Sequence, residues 1–427
     1  MIDRAMRKLG RRDFLGAAAG AGIMFIKPER VRGTAANSAI RLGLLGCGGR
    51  GTHVATSFVH NTSARIVALG DLFADQLAAR EKYFNQLGES LGHAKIDPAL
   101  LFRGPKAYEQ IAACKDLDAI IIATPDYFHA EHLDAVVAAG KHVYCEKPAG
   151  VDVHSCQRVA EIGEKARGRL SLEIGFQLRS APPLVEMVRL IQAGALGKIS
   201  VGEAYYFTKA LNLPDWPNAS PVERRLRQWY WDRTLSGDFI VDQNIHVFDI
   251  CNWVLQAHPR KATGTGGRKG RTDSGDCWGH FAVTFFYPDD VHVNFTSTQF
   301  GVGYSDVCER FFGTRGASES HYTGGVRIYG EEPWDADPQA SAPTRSTPVG
   351  RTSSFDALKD ADAEKDKAFI ESIISGKFHN QAAAGAEAAL TAILARTAAY
   401  TGREVTWEEL LRSGQTYDAG IDLSQFA

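Results

Sequence analysis

Lys147, Asp242 and His246 are the side chains whose types and surroundings suit moving a proton at an oxygen atom. Lys147 lies in Glu146-Lys147-Pro148, directly after the apolar run His142–Cys145 (HVYC). A strand ending there puts the lysine at the carboxyl edge of a sheet, where open α/β sheets bind ligands. Asp242 and His246 form a D-x-x-x-H pair. On a helix that spacing sets both side chains on one face, a turn apart. An ammonium group can hold a substrate oxygen and stabilise negative charge developing on it. An imidazole, with its ordinary pKa near neutrality, can take or give the proton. Asp242 would position the substrate or bind a second hydroxyl. Taken singly, these are also a surface lysine, a helix cap and a core histidine; their combination with a nucleotide site carries the reading. A D-x-x-x-H pair can ligate a metal too, but no third ligand accompanies it and no metal is expected.

The nucleotide site is Gly46-Cys47-Gly48-Gly49-Arg50-Gly51, a G-x-G-x-x-G turn directly after the buried run Ile40–Leu45 (IRLGLL). The first glycine allows the tight turn, the second lets backbone approach a pyrophosphate, and the third lets helix pack on strand. The N-terminus of the helix that follows offers N–H groups and a favourable dipole to phosphates. Asp71 ends the next strand, Arg65–Leu69 (RIVAL) with Gly70, about 20 residues beyond the last glycine, where it can accept from both hydroxyls of a ribose. It would repel a 2′-phosphate, and Leu72-Phe73 rather than an arginine follow it. NAD is therefore expected in preference to NADP, with Gly46, Gly48, Gly49, Arg50, Gly51 and Asp71 as its contacts.

These groups need a scaffold. Further buried runs, Ala119–Ala123 ending at Thr124-Pro125 and His142–Cys145, alternate with segments of helical period such as Ala74–Gly88 and Phe128–Ala139. Strands alternating with helices predict an N-terminal doubly wound parallel sheet, a Rossmann domain in an α/β chain. After about Gly168 the pattern changes. Leu170–Gly175, Ile199–Phe207, Gly279–Phe286 and Val291–Thr298 are strand-like, alternating or rich in β-branched and aromatic residues. They predict a second α/β domain with a large, predominantly antiparallel sheet. Leu211–Leu235, rich in Pro, Trp and Arg, reads as a long loop, Gly330–Arg351 as an exposed excursion, and Asp360–Ser375 and Ala382–Tyr400 as helices. The expected boundaries are a leader over 1–36, the nucleotide domain over 37–165 and the second domain over 166–427.

At 427 residues the chain exceeds one ordinary core. Its formal net charge of −2 gives no reason to expect a nucleic-acid partner. Seven cysteines without C-x-x-C spacing argue against a disulfide framework or a zinc site. Arg11-Arg12-Asp13-Phe14-Leu15 followed by an Ala/Gly-rich apolar stretch to Ile26 reads as a twin-arginine export signal. That stretch is too short to span a bilayer stably, so no lasting membrane insertion is expected after export to the periplasm or beyond; a frayed basic N-terminus on a cytoplasmic protein is the alternative. Trp216, Trp229 and Tyr230, with Trp231 beside them, offer aromatic faces suited to sugar C–H surfaces.

These residues together resemble the glucose–fructose oxidoreductase/inositol dehydrogenase/MocA family (Gfo/Idh/MocA) from about Ile40 to Glu409. The carriers are the strand with GCGGRG, A-T-P-D-Y-F-H at Ala123–His129 and A-G-K-H-V-Y-C-E-K-P at Ala139–Pro148. I-G-F-Q-L-R at Ile174–Arg179, S-G-D-F-I-V-D-Q-N-I-H at Ser236–His246 and G-T-R-G-A at Gly313–Ala317 continue the likeness. The resemblance implies catalytic positions at Lys147, Asp242 and His246. It implies cofactor positions at Thr124, Pro125, His129 and Glu146, and a substrate-lining strand carrying Gln177 and Arg179. It also implies a carbohydrate substrate and a homo-oligomer, dimer or tetramer, through the open sheet. An exported enzyme cannot draw on free NAD, so the cofactor is expected to stay bound and be regenerated in place. Reoxidation by a second substrate does this. So does a redox-neutral glycosidase that oxidises, eliminates and reduces, as exported NAD-dependent α-N-acetylgalactosaminidases resemble. A non-catalytic sugar- and NAD-binding protein is the reading from a different class.

Overall fold

Six short apolar segments assemble into one parallel sheet: β1 (Arg41–Leu45), β2 (Arg65–Asp71), β3 (Leu101–Arg103), β4 (Ala119–Ile122), β5 (His142–Cys145) and β6 (Leu172–Ile174). Their order is β3-β2-β1-β4-β5-β6. The chain winds outward from β1 in both directions, so the switch point lies between β1 and β4. β4, Ala-Ile-Ile-Ile, is buried at every residue, as a strand covered by helices on both faces must be. The computed structural model describes residues 39–300, 304–322, 324–336 and 360–427. The twin-arginine segment and most of the Gly330–Arg351 stretch lie outside the described residues. Among the described residues no helix is long and apolar enough to cross a membrane.

The second sheet has nine strands in the order β14-β13-β12-β11-β7-β10-β9-β8-β15. They are β7 (Ile199–Phe207), β8 (Lys261–Gly267), β9 (His280–Phe286), β10 (His292–Thr298), β11 (Asp306–Gly313), β12 (Gly316–His321), β13 (Val326–Gly330), β14 (Trp334–Asp335) and β15 (Val405–Thr406). Only the β7–β10 pairing is parallel. Alternation does the sorting: Phe281, Val283 and Phe285 of β9 and Val293 and Phe295 of β10 turn inward, their neighbours outward. The inward rings meet Phe248 of helix Ile245–Leu255, at 5.1 Å from Phe285 and 4.7 Å from Phe295. Helix Ala382–Thr401 is buried over most of its length, and its alanines let it lie close to helix Val153–Ala166, where a Cβ on Gly163 would stand 2.4 Å from that of Ala382.

Three local expectations change. Leu172–Ile174, expected to open the second sheet, is the last strand of the first; it pairs parallel with β5, and the chain at Asn380 bridges its free side. The expected loop Leu211–Leu235 contains helix Pro221–Arg227, helix Arg233–Ser236 and a 3₁₀ turn, Trp229–Trp231. Its stop-and-start signals are Ser220, which caps by accepting from the Glu223 N–H at 3.1 Å, Pro221 in the first turn, and the Glu223–Arg227 pair at 2.7 Å. Asp242 and His246 do not share one helix: Asp242 ends the short helix Phe239–Asp242, and His246 sits in the first turn of the next.

Helix Ala361–Ser375 returns from the far end of the chain to the nucleotide half and carries Lys365, 1 % exposed, into it. Nζ of Lys365 donates to the Tyr144 hydroxyl at 3.1 Å and to Asp362 at 2.9 Å, with Asp366 at 3.5 Å. Removing one partner of such a buried set strands the other charges, at a cost of about 3–5 kcal/mol. Lys365→Met should therefore lower the free energy of unfolding measured in urea by that amount at neutral pH, and the midpoint with it. An unchanged midpoint would show that these carboxylates are not held by Lys365.

Candidate active site

A cleft of about 520 Å³ opens at the switch point and runs beneath the second sheet. At its first end Gly46 leaves β1 with φ +95°, a conformation that suits glycine, and a Cβ there would lie 2.5 Å from the backbone of Ala123. A Cβ on Gly51 would fall 2.1 Å from the Gly46 carbonyl oxygen, so this glycine lets the helix close on the turn. Gly48 and Gly49 face open space. No side chain caps helix Gly49–Asn61, leaving its first-turn N–H groups available to an anion. This cradle fits a dinucleotide pyrophosphate.

Asp71 ends β2 beside that turn, 9 % exposed. Its two oxygens accept from the backbone N–H of Cys47 at 2.7 Å and of Phe73 at 2.8 Å, leaving lone pairs for ribose hydroxyls. Burial pushes its pKa up to about 6, against the pull of those two N–H groups. Arg227, distant in sequence, covers this end: its guanidinium lies 3.9 Å from the Phe73 ring centroid and 4.2 Å from that of Trp216. It is committed to Asp75 at 2.8 Å and Glu223 at 2.7 Å.

At the other end the chemistry gathers around Glu146-Lys147. Glu146, 4 % exposed, accepts from Arg50 Nε at 2.9 Å and from the Tyr144 hydroxyl at 2.9 Å. Burial alone would raise its pKa, but Arg50, Lys147 and Lys365 outweigh that and hold it below the usual value. Lys147 Nζ donates to the Asp242 carbonyl and lies 3.2 Å from the Asp242 carboxylate. His246 stands edge-on to Phe176 with Nδ1 buried and without a hydrogen-bond partner. Burial, then the charges of Lys147 and Arg50, push its pKa well below the ordinary value, so the imidazole is neutral.

Lys147, Asp242, His246, Gly46, Gly48, Gly49, Arg50, Asp71, Thr124, Pro125, Glu146, Gln177, Trp216, Trp229 and Tyr230 all line this one cleft. Gln177 accepts from Arg50 at 3.1 Å, and Trp229 and Tyr230 stack at 3.7 Å. Three expected contacts stand elsewhere. Gly51 is buried where the helix packs on the glycine turn and does not line the cleft. His129 is fully buried behind the wall, its ring nitrogens 2.7 Å from the Pro148 carbonyl and 2.9 Å from that of Thr124; it braces the loops that carry Thr124 and Lys147. Arg179 is spent on a bidentate pair with buried Asp249, at 2.8 Å and 2.8 Å, and does not line the cleft.

Several lining residues escaped the sequence reading. Asp126, 2 % exposed, follows Thr124-Pro125 and has one carboxyl oxygen buried without a hydrogen-bond partner. Burial, then the neighbouring Asp242 carboxylate, raises its pKa far above the usual range, so it keeps its proton. The A-T-P-D motif held that signal: an acid at a strand's carboxyl end. Asp362 reaches the cleft from helix Ala361–Ser375, and Tyr206 and Tyr322 from the second sheet. Burial pushes Asp362 up, but Lys365, His53 and Arg50 bring it well below the usual range.

The raised pKa of Asp71 gives the cleft a pH signature. Protonation removes the anion that accepts from the ribose, so NAD affinity should fall as pH drops through about 6. If only the ionised form binds, Kd rises about tenfold between pH 7 and pH 5. Calorimetric titration with NAD checks this, and a flat Kd over that range would remove Asp71 from the site.

Comparison with known proteins bears on the family and the fold. The family model described as "Oxidoreductase family, NAD-binding Rossmann fold" (GFO_IDH_MocA) matches residues 40–174, and the GFO/IDH/MocA C-terminal domain matches residues 184–319. The inositol 2-dehydrogenase of Rhizobium meliloti (strain 1021) is 28% identical over 226 residues, 53% of this chain and 58% of that protein. A glycosyl hydrolase family 109 protein of Solibacter usitatus (strain Ellin6076) is 28% identical over 210 residues, 47% of this chain and 46% of that protein. The chain thus spans about half the length of these curated relatives. The crystal structure of aldose-aldose oxidoreductase from Caulobacter crescentus superposes with a TM-score of 0.64 at 19% identity, covering 86% of this chain and 99% of that one; at that identity it speaks for the fold. With two models of one family matching most of residues 40–319, around a glycine turn, Asp71 and the Lys147–Asp242–His246 cluster, the chain belongs to the Gfo/Idh/MocA oxidoreductase family.

Proposed function

We propose that the chain is an NAD(H)-dependent oxidoreductase acting at a hydroxyl carbon of a sugar or an inositol-like polyol. One observation carries this reading: the glycine turn with Asp71 and the Lys147–Asp242–His246 cluster are the two ends of a single cleft. NAD, when bound, supplies hydride exchange at the substrate carbon. Lys147 has three N–H donors and gives two to Asp242, which leaves one for the substrate oxygen. Neutral His246 takes the hydroxyl proton on oxidation and returns it on reduction. Asp126, protonated beside Asp242, can donate to a second hydroxyl. Trp216, Trp229 and Tyr230 offer ring faces to the apolar side of a sugar. Asp71 favours NAD over NADP, because Arg227 is already neutralised by Asp75 and Glu223 and is a poor partner for a 2′-phosphate.

A twin-arginine leader exports folded protein, which supports a cofactor loaded before export and regenerated in place by a second substrate. A redox-neutral glycosidase is the second reading, favoured by the name of the Solibacter usitatus relative. A homo-oligomer through the outward face of the nine-stranded sheet is also part of the proposal. Val201, Phe312 and Tyr329 are exposed there, in register across β7, β11 and β13.

The test starts with protein purified without added cofactor. A nicotinamide band that rises with one sugar and falls with another supports the oxidoreductase. Release of an aglycone without net redox change supports the glycosidase. No bound dinucleotide and no binding of added NAD would overturn both. Lys147→Ala should abolish turnover while leaving the Kd for NAD within about twofold, because the ammonium serves the substrate oxygen rather than the nucleotide. Normal turnover in that protein would refute the assignment. In the oxidation direction a protonated His246 cannot accept a proton, so kcat at saturating cofactor falls as pH drops through its depressed pKa. The acid limb should therefore lie below pH 6.5, the ordinary histidine value. A limb above that point would take the base role away from His246.

A further inference from the structure

On the other face of the second sheet, four side chains meet that the proposed chemistry does not use. β11 and β12 pair with Cys308 opposite His321 and Arg310 opposite Glu319, and β7 sets Tyr205 opposite Cys308. Opposed residues share a face, so Asp306, Cys308, Glu319 and His321 project together. Their sequence neighbours Tyr206 and Tyr322 line the cleft on the opposite side.

The spacing is that of a metal site. Cys308 Sγ lies 3.7 Å from His321 Nε2, and Glu319 Oε1 lies 3.4 Å from the same nitrogen. All three ligand atoms fall within 4.8 Å of one another. Around tetrahedral Zn²⁺, with Zn–S of about 2.3 Å and Zn–N or Zn–O of about 2.1 Å, adjacent ligand atoms stand roughly 3.3–3.6 Å apart. The Glu319–His321 edge already has that length, and the Cys308–His321 edge exceeds it by about 0.1 Å. Asp306 lies 3.1 Å from His321 Nδ1 and is itself held by the Tyr205 hydroxyl at 2.7 Å. A carboxylate behind the ring fixes the tautomer, as it does behind metal-bound histidines, and turns the Nε2 lone pair toward Cys308 and Glu319. Arg310 takes the other oxygen of Glu319 at 2.7 Å and leaves Oε1 directed at His321.

We propose that Cys308, Glu319 and His321 form a Zn²⁺ site on the outward face of this sheet, oriented by Asp306 and separate from the cleft. Binding replaces the thiol proton, which passes to solvent, with a sulfur–metal bond. Three protein ligands leave the fourth position to water. Cys308 is fully buried and His321 5 % exposed, so the sulfur is shielded from solvent.

Co²⁺ is the spectroscopic probe. Full-length protein, stripped by a chelator, should take up one equivalent with a thiolate charge-transfer band and the visible bands of a tetrahedral ion, both erased by Zn²⁺. Cys308→Ser should weaken Co²⁺ binding at least tenfold and remove the charge-transfer band. Asp306→Asn should weaken it about tenfold with the band retained. NAD affinity should be unchanged in both, which reports that each variant is folded. No uptake by the wild-type protein, an octahedral spectrum, or uptake unaltered by Cys308→Ser would overturn the site. The last two results would mean that metal binds elsewhere. The first would mean that His321 only bridges the Asp306 and Glu319 carboxylates.

Discussion

Glu146 and Lys147 are adjacent charges at the buried end of β5, and neither is tolerable there alone. Removing a carboxylate and an ammonium from water costs several kcal/mol each unless partners are supplied. No single segment of this chain can supply them all. Arg50 comes from the first helix of the nucleotide half, Asp242 from the second half, and Lys365, through Tyr144, from helix Ala361–Ser375. Pairing these charges therefore requires that three distant parts of the chain meet at the carboxyl edge of the parallel sheet. The cleft is the space between them.

That arrangement also divides protonation states. Burial, reinforced by cationic Lys147 and Arg50, keeps His246 neutral; the same two cations hold Glu146 ionised against its burial, while Asp126, buried against Asp242, keeps its proton. A neutral base, an ammonium donor and a neutral acid thus face one volume near neutral pH. Opposed pKa shifts within one cleft are the usual mark of divided acid and base roles. At the nucleotide end Asp71 is raised by burial but has two backbone N–H bonds, a balance that a ribose can tip toward the anion.

The second sheet serves two environments with one set of strands. Tyr206 and Tyr322 face the cleft, while Tyr205 and His321 face outward, because alternate residues of a strand point to opposite sides. The outward side is also where Val201, Phe312 and Tyr329 are exposed. A cation bound by Cys308, Glu319 and His321 would stiffen the β11–β12 hairpin at the centre of that surface.

Wherever the physics is local, the sequence alone was sufficient. The GCGGRG turn, Asp71 at the end of β2, and Glu146-Lys147 at the end of β5 are legible because a glycine turn, a strand end and their spacing are properties of short segments. Alternation likewise announced β7, β9 and β10. The leader at Arg11-Arg12 is a reading of sequence only. What sequence could not supply is pairing across distance. Leu172–Ile174 has the composition of either sheet, and only β5 and Asn380 beside it decide which one it joins. Arg179 and His129 carry the right chemistry, but buried partners claim them. Asp126, Arg227, Asp362 and the Cys308–His321 pair gain their character from groups that the fold brings to them. A side chain's charge state and partners depend on what surrounds it in space, and for a buried polar group that is settled by tertiary structure.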